Sequence, residues 1–105
     1  MDLIVKVKQI KGVCPTYKAG DSFTLKAGYQ LVSDIPVCMH ALSCLMPFYN
    51  ALSFAEPAQL GLDGKKDKTK AYIHCPDPSE YTDGGTVIFE IASAQSDDKV
   101  SPCGA

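Results

Sequence analysis

The stretch Ser22-Phe23-Thr24-Leu25-Lys26-Ala27-Gly28-Tyr29-Gln30-Leu31-Val32 decides the fold. Ser22–Leu25 reads as a short strand, Ala27-Gly28 as a turn signal and Tyr29–Val32 as the return strand of a hairpin. Were the whole run a single strand, the chain would leave it at the other end of the domain. Every later element would then be inverted relative to the first.

Upstream, Leu3, Val5 and Val7 alternate with Ile4, Lys6 and Lys8, the period of a strand with one buried face. Gly12 closes it, and Gly12–Gly20 is a loop carrying Cys14-Pro15. Downstream, Ser33-Asp34-Ile35-Pro36 combines polar capping residues with a first-turn proline, so a helix is expected from about Pro36 to Phe54. Pro47 cannot donate to Ser43 and its ring clashes there, which predicts a kink or two consecutive helices. Because nearly every face of this segment is apolar, it is expected to be the central buried element.

Residues 55–68 contain Pro57, Gly61, Gly64 and Lys65-Lys66-Asp67-Lys68, an exposed loop whose lysines read first as a solvated tip and second as a site for an anionic partner. Ala71–Cys75 and Thr86–Ile91 are the remaining strands, separated by the turn-rich run from Pro76 to Gly85. The polar tail over 96–105, with Cys103, is expected to be disordered. The sequence therefore predicts an α+β domain over residues 1–95: a small antiparallel sheet of four to five strands packed on one kinked, largely buried helical segment.

A chain of 105 residues fits one domain. Its net charge of −2, with acids and bases interspersed and no lysine–arginine stripe, argues against a nucleic-acid partner. The apolar stretch Val37–Phe54 is interrupted by His40, Ser43, Pro47 and Asn50, so no membrane partner is expected. The first eight residues lack an apolar signal region because Asp2, Lys6 and Lys8 break it, and a cytoplasmic location is expected.

The signatures of dinucleotide, phosphate-loop, zinc-protease, serine-hydrolase and CxxC sites are all missing. Asp77 and Glu80 read as turn groups rather than an acid–base pair. What remains is five cysteines, an odd number that weighs against a disulfide framework. Cys14 and Cys75 each precede a proline, which holds the cysteine extended, and Cys38 falls in the expected first turn of the helix, where a thiolate is stabilised by the dipole. If the Ala27-Gly28 turn forms, alternating chain directions bring Cys14, Cys38 and Cys75 to one end of the domain. His40 and Cys44, four residues apart, share a helical face, and each is a candidate fourth metal ligand. Cys44 lies about 120° around a helix from Cys38 and reads more simply as packing.

Cys14, Tyr17-Lys18-Ala19-Gly20-Asp21-Ser22-Phe23, Cys38, Pro47-Phe48, Cys75-Pro76-Asp77-Pro78 and Val87-Ile88-Phe89-Glu90-Ile91 follow one another in an order that resembles a family of small uncharacterised proteins of anaerobic bacteria and archaea. The likeness spans roughly residues 3–93, and its most specific piece is Cys-Pro-Asp-Pro. The resemblance implies that Cys14, Cys38 and Cys75 recur, while Cys44 and Cys103 are peculiar to this chain; it attaches no reaction. An anaerobic setting would suit reduced thiols. The loop around Gly61–Lys70 is longer here than in the family.

Three expectations follow. Cys14, Cys38 and Cys75 would bind zinc, iron or an iron–sulfur cluster, with the fourth position taken by His40, Cys44, an external ligand or another subunit. Alternatively the chain is a non-catalytic interaction module or accessory subunit, its excess apolar helix surface covered by homo-oligomerisation. The third is a thiol-based redox enzyme with Cys38 as nucleophile and Cys14 or Cys75 as resolving thiol.

Overall fold

The computed structural model describes residues 2–94, so the expected tail over 96–105 and Cys103 lie outside the described residues. Five strands form one sheet: β1 (Leu3–Gly12), β2 (Ser22–Lys26), β3 (Gln30–Val32), β4 (Ala71–His74) and β5 (Gly85–Ser93). Their order is β3-β2-β1-β5-β4, with every neighbouring pair antiparallel. A single helix, α1 (Met39–Leu52), and a 3₁₀ turn over Pro57–Leu60 complete the α+β fold.

The deciding hairpin forms. Ala27 (φ 58°) and Gly28 (φ 83°) both take positive φ, as the central pair of a type I′ turn must, and the Tyr29 N–H donates to the Lys26 carbonyl at 3.2 Å. β3 returns along β2, with Leu31 opposite Leu25 and Val32 opposite Thr24. The chain therefore reaches the helix from the same end of the sheet at which β1 finishes and β4 finishes.

The period-two pattern of β1 has one interruption. Val7 opposes Phe89 and Gln9 opposes Ile88, which leaves Lys8 as the extra residue of a β-bulge. The bulge shifts the alternation so that Ile10, opposite Val87, packs against the core. One sheet face then presents Leu3, Val5, Val7, Phe23, Leu25, Ala71, Ile73, Val87, Phe89 and Ile91, all buried. Burying each of the larger side chains contributes roughly 1.5–3 kcal/mol.

The helix meets this face with a narrow stripe. Ala41, Leu45 and Leu52 are its buried residues, so the expectation of a largely buried segment is corrected. The sheet covers only one side of α1, leaving Met46 and Phe48 more than a third exposed and Met39 81 % exposed. The expected division into two helices does not occur, and a kink is not shown. Pro47 lies inside α1 on its exposed side, where water can serve the carbonyl that the ring leaves without its donor.

The helix also begins later than expected. Ile35, held extended before Pro36, and Val37 pack against the core ahead of α1. The Ser33 hydroxyl is engaged by Ile35, accepting from its N–H and donating to its carbonyl, rather than capping a helix. Cys38 is thus the N-cap residue in extended conformation (φ −72°, ψ 128°), not a first-turn residue, and its side chain makes no capping bond. Among the described residues no helix is long and apolar enough to cross a membrane.

Candidate functional site

The end of the sheet where β1 and β4 finish and α1 starts holds a cleft of about 410 Å³. Cys14, Cys38, Cys75 and His40 all line it, together with Tyr17 and Asp77. The convergence that depended on the Ala27-Gly28 turn is realised: three chain segments remote in sequence deliver their cysteines to one cavity. Cys44 does not line it; it is half-buried and packs against the core. A larger cavity of about 520 Å³, at the other end of the sheet near Leu3, Leu52, Phe54 and Ile91, carries no thiol or imidazole.

Gly85 allows the chain leaving β1 to approach the start of β5. A Cβ at this position would lie 2.7 Å from the Val13 carbonyl carbon and 2.9 Å from the Cys14 nitrogen, both backbone atoms. Only a residue without a side chain admits the β1 extension this close to the start of β5. The loop between β4 and β5 is braced beside it. Asp77 accepts from the Thr82 hydroxyl, its carbonyl accepts from the Thr86 hydroxyl, and Ser79 N–H donates to Thr86 Oγ1 at 3.2 Å.

The three thiols differ in their surroundings. Cys75 is buried, and both hydrogen-bonding capacities of its sulfur are used: Val87 N–H donates to Sγ at 3.2 Å, and the S–H donates to the Gly85 carbonyl at 3.5 Å. Cys14 and Cys38 are half-buried free thiols. Cys14 Sγ accepts from Tyr17 N–H at 3.4 Å. Among the described residues no three His, Cys, Asp or Glu side chains stand close enough together to hold a metal ion.

Tyr17 is the residue that sequence reasoning passed over. Its ring is 3 % exposed and edge-on to Phe89, with centroids 5.6 Å apart, and it stacks beside Phe23 at 6.5 Å. The hydroxyl at the far end accepts the Cys38 N–H at 2.9 Å. Burial pushes the Tyr17 phenol above its ordinary range, against the opposing influence of that hydrogen bond. The available signal was an aromatic residue three positions after Cys14, in the loop between β1 and β2. Asp77, read as a turn group, lines the cleft as well. Compared with protein-family models, curated proteins and solved structures, the chain matches none.

Proposed function

We propose that the cleft is a thiol site that takes one thiophilic metal ion, zinc or iron, through Cys14 and Cys38 with His40 as the third protein donor. The observation that supports this is their common place in the lining of one cleft, Cys14 from the chain after β1 and Cys38 and His40 from the start of α1. Two thiolates and an imidazole suit borderline metals, and three protein donors leave a coordination position for a ligand. The three donors do not stand together as a metal-holding group among the described residues, so binding requires their side chains to turn toward one ion; Cys14 and Cys38 are half-buried and His40 is exposed. Cys75 is assigned to structure on this reading, because ligation would take its proton from the Gly85 carbonyl and its lone pair from Val87. A cluster held by four cysteine thiolates asks for more than one chain's cleft offers.

The test is metal analysis and an optical spectrum of protein purified anaerobically, followed by Co²⁺ titration of the metal-free chain. A thiolate charge-transfer band at one equivalent, lost in Cys14→Ser and Cys38→Ser, is expected. Metal-free protein with no such band would refute the reading.

A second reading rests on a different observation. Val13 and Met39, chain neighbours of Cys14 and Cys38, and Tyr81 in the β4–β5 loop are 72, 81 and 86 % exposed. Apolar side chains this exposed beside a cleft suit a protein-interaction surface, including self-association. Sedimentation of the wild type against Met39→Lys tests it: an assembly that dissociates in the variant supports it, and a wild-type monomer at high concentration refutes self-association.

A further inference from the structure

We infer that Tyr17 is a positioning residue that sets the backbone of Cys38 in register with the sulfur of Cys14. This deepens the reading of the cleft as a thiol site and rests on it. Tyr17 touches both segments with different atoms. Its backbone N–H donates to Cys14 Sγ at 3.4 Å, and its hydroxyl accepts the Cys38 N–H at 2.9 Å. The intervening ring cannot drift, because it is almost fully buried between Phe23 and Phe89.

The Cys38 N–H needs this partner. As the N-cap residue, Cys38 gives its carbonyl to the Leu42 N–H inside the helix, but its own N–H points away from the helix ladder. The phenol oxygen satisfies it from β1's loop, 21 residues upstream. The core aromatic cluster thereby fixes where α1 begins relative to Cys14. A phenylalanine at 17 would keep the ring packing and the backbone bond to Cys14 and remove only the link to Cys38.

The experiment compares anaerobically purified wild type with Tyr17→Phe and, as a packing control, Phe23→Leu. Three quantities are read: hydrogen exchange at the Cys38 amide, site-resolved alkylation rates of metal-free Cys14 and Cys38, and Co²⁺ affinity. Tyr17→Phe is expected to speed Cys38 amide exchange and Cys38 alkylation at least threefold, leave Cys14 alkylation within twofold, and weaken Co²⁺ binding about three- to tenfold, the range of one lost hydrogen bond. Phe23→Leu is expected to lower the melting temperature while Cys38 keeps its slower rates relative to Tyr17→Phe. Unchanged Cys38 exchange and alkylation in Tyr17→Phe would overturn the inference, as would equal acceleration of Cys14 and Cys38. If wild-type protein binds no Co²⁺, the metal reading fails, and the exchange and alkylation rates still decide whether Tyr17 positions Cys38.

Discussion

The backbone N–H of Val87 donates to Cys75 Sγ at 3.2 Å, and Cys75 N–H returns a bond to the Val87 carbonyl at 2.9 Å. Cys75 thus continues the pairing of β4 with β5 one residue beyond the strand, using its side chain as well as its backbone. Cys75→Ala would leave the Val87 N–H without its sulfur acceptor in a buried place, at a cost of about 1–3 kcal/mol. The melting temperature is expected to fall by several degrees, with metal stoichiometry unchanged. Loss of metal binding in a variant that still folds would instead make Cys75 a ligand.

Gly85 gives a sharper stability test. Gly85→Ala would place a methyl group within 3 Å of backbone atoms of Val13 and Cys14, which cannot rotate away. Destabilisation of about 1–3 kcal/mol is expected, with altered alkylation of Cys14. Gly20→Ala serves as the comparison: its φ is 94° but nothing lies within 4 Å of the new Cβ, so only backbone strain of about 1 kcal/mol is expected. Thermal melts of the two variants should rank Gly85→Ala as the more severe.

Ala27 carries the one non-glycine positive φ among the described residues, in the turn that sets the chain's direction. Asparagine tolerates this conformation better than alanine, and a β-branched residue tolerates it worse. Ala27→Asn should raise the melting temperature by a few degrees and Ala27→Val should lower it. A reversed order would mean the turn is not under the strain its φ indicates.

On the sheet face away from α1, the Tyr72 hydroxyl donates to Glu90 Oε2 at 2.6 Å, with Lys8 and Lys70 each 3.7 Å from the carboxylate. The Tyr72 bond, then Lys70 and Lys8, hold the Glu90 carboxyl below its ordinary range against the effect of burial. A depressed carboxylate contributes stability that is present above the unfolded pKa of about 4.3 and lost as pH falls through the lower folded value. Tyr72 is pushed up to about 12, chiefly by the same bond, so its contribution is present below about 10 and lost as pH rises through about 12. In denaturant melts, Glu90→Gln should flatten the acid limb below about pH 5. An unchanged acid limb would place the pH dependence elsewhere.

The sheet was legible because its signals are local. Leu3, Val5 and Val7 alternate, Ala27-Gly28 marks a turn, and Val87, Phe89 and Ile91 share a face. The bulge at Lys8 was hidden, since an inserted residue leaves no mark until Ile10 is seen opposite Val87. Burial of α1 was overestimated because an apolar sequence does not say how many layers are available to cover it. The shared end of Cys14, Cys38 and Cys75 followed from chain direction alone. Their different roles did not, because the satisfaction of Cys75 and the reach of Tyr17 to Cys38 depend on contacts across 12 and 21 residues.

Mapping thiol protection tests the central claim most directly. Metal-free protein, reduced and kept anaerobic, would be alkylated with and without one equivalent of Zn²⁺ and the modified cysteines identified by mass spectrometry. Cys14 and Cys38 are expected to be protected by zinc together, at equal stoichiometry, while Cys44 and Cys75 react at rates independent of the metal. Zinc that leaves Cys14 and Cys38 as reactive as before, or protects either without the other, would contradict a shared site in the cleft.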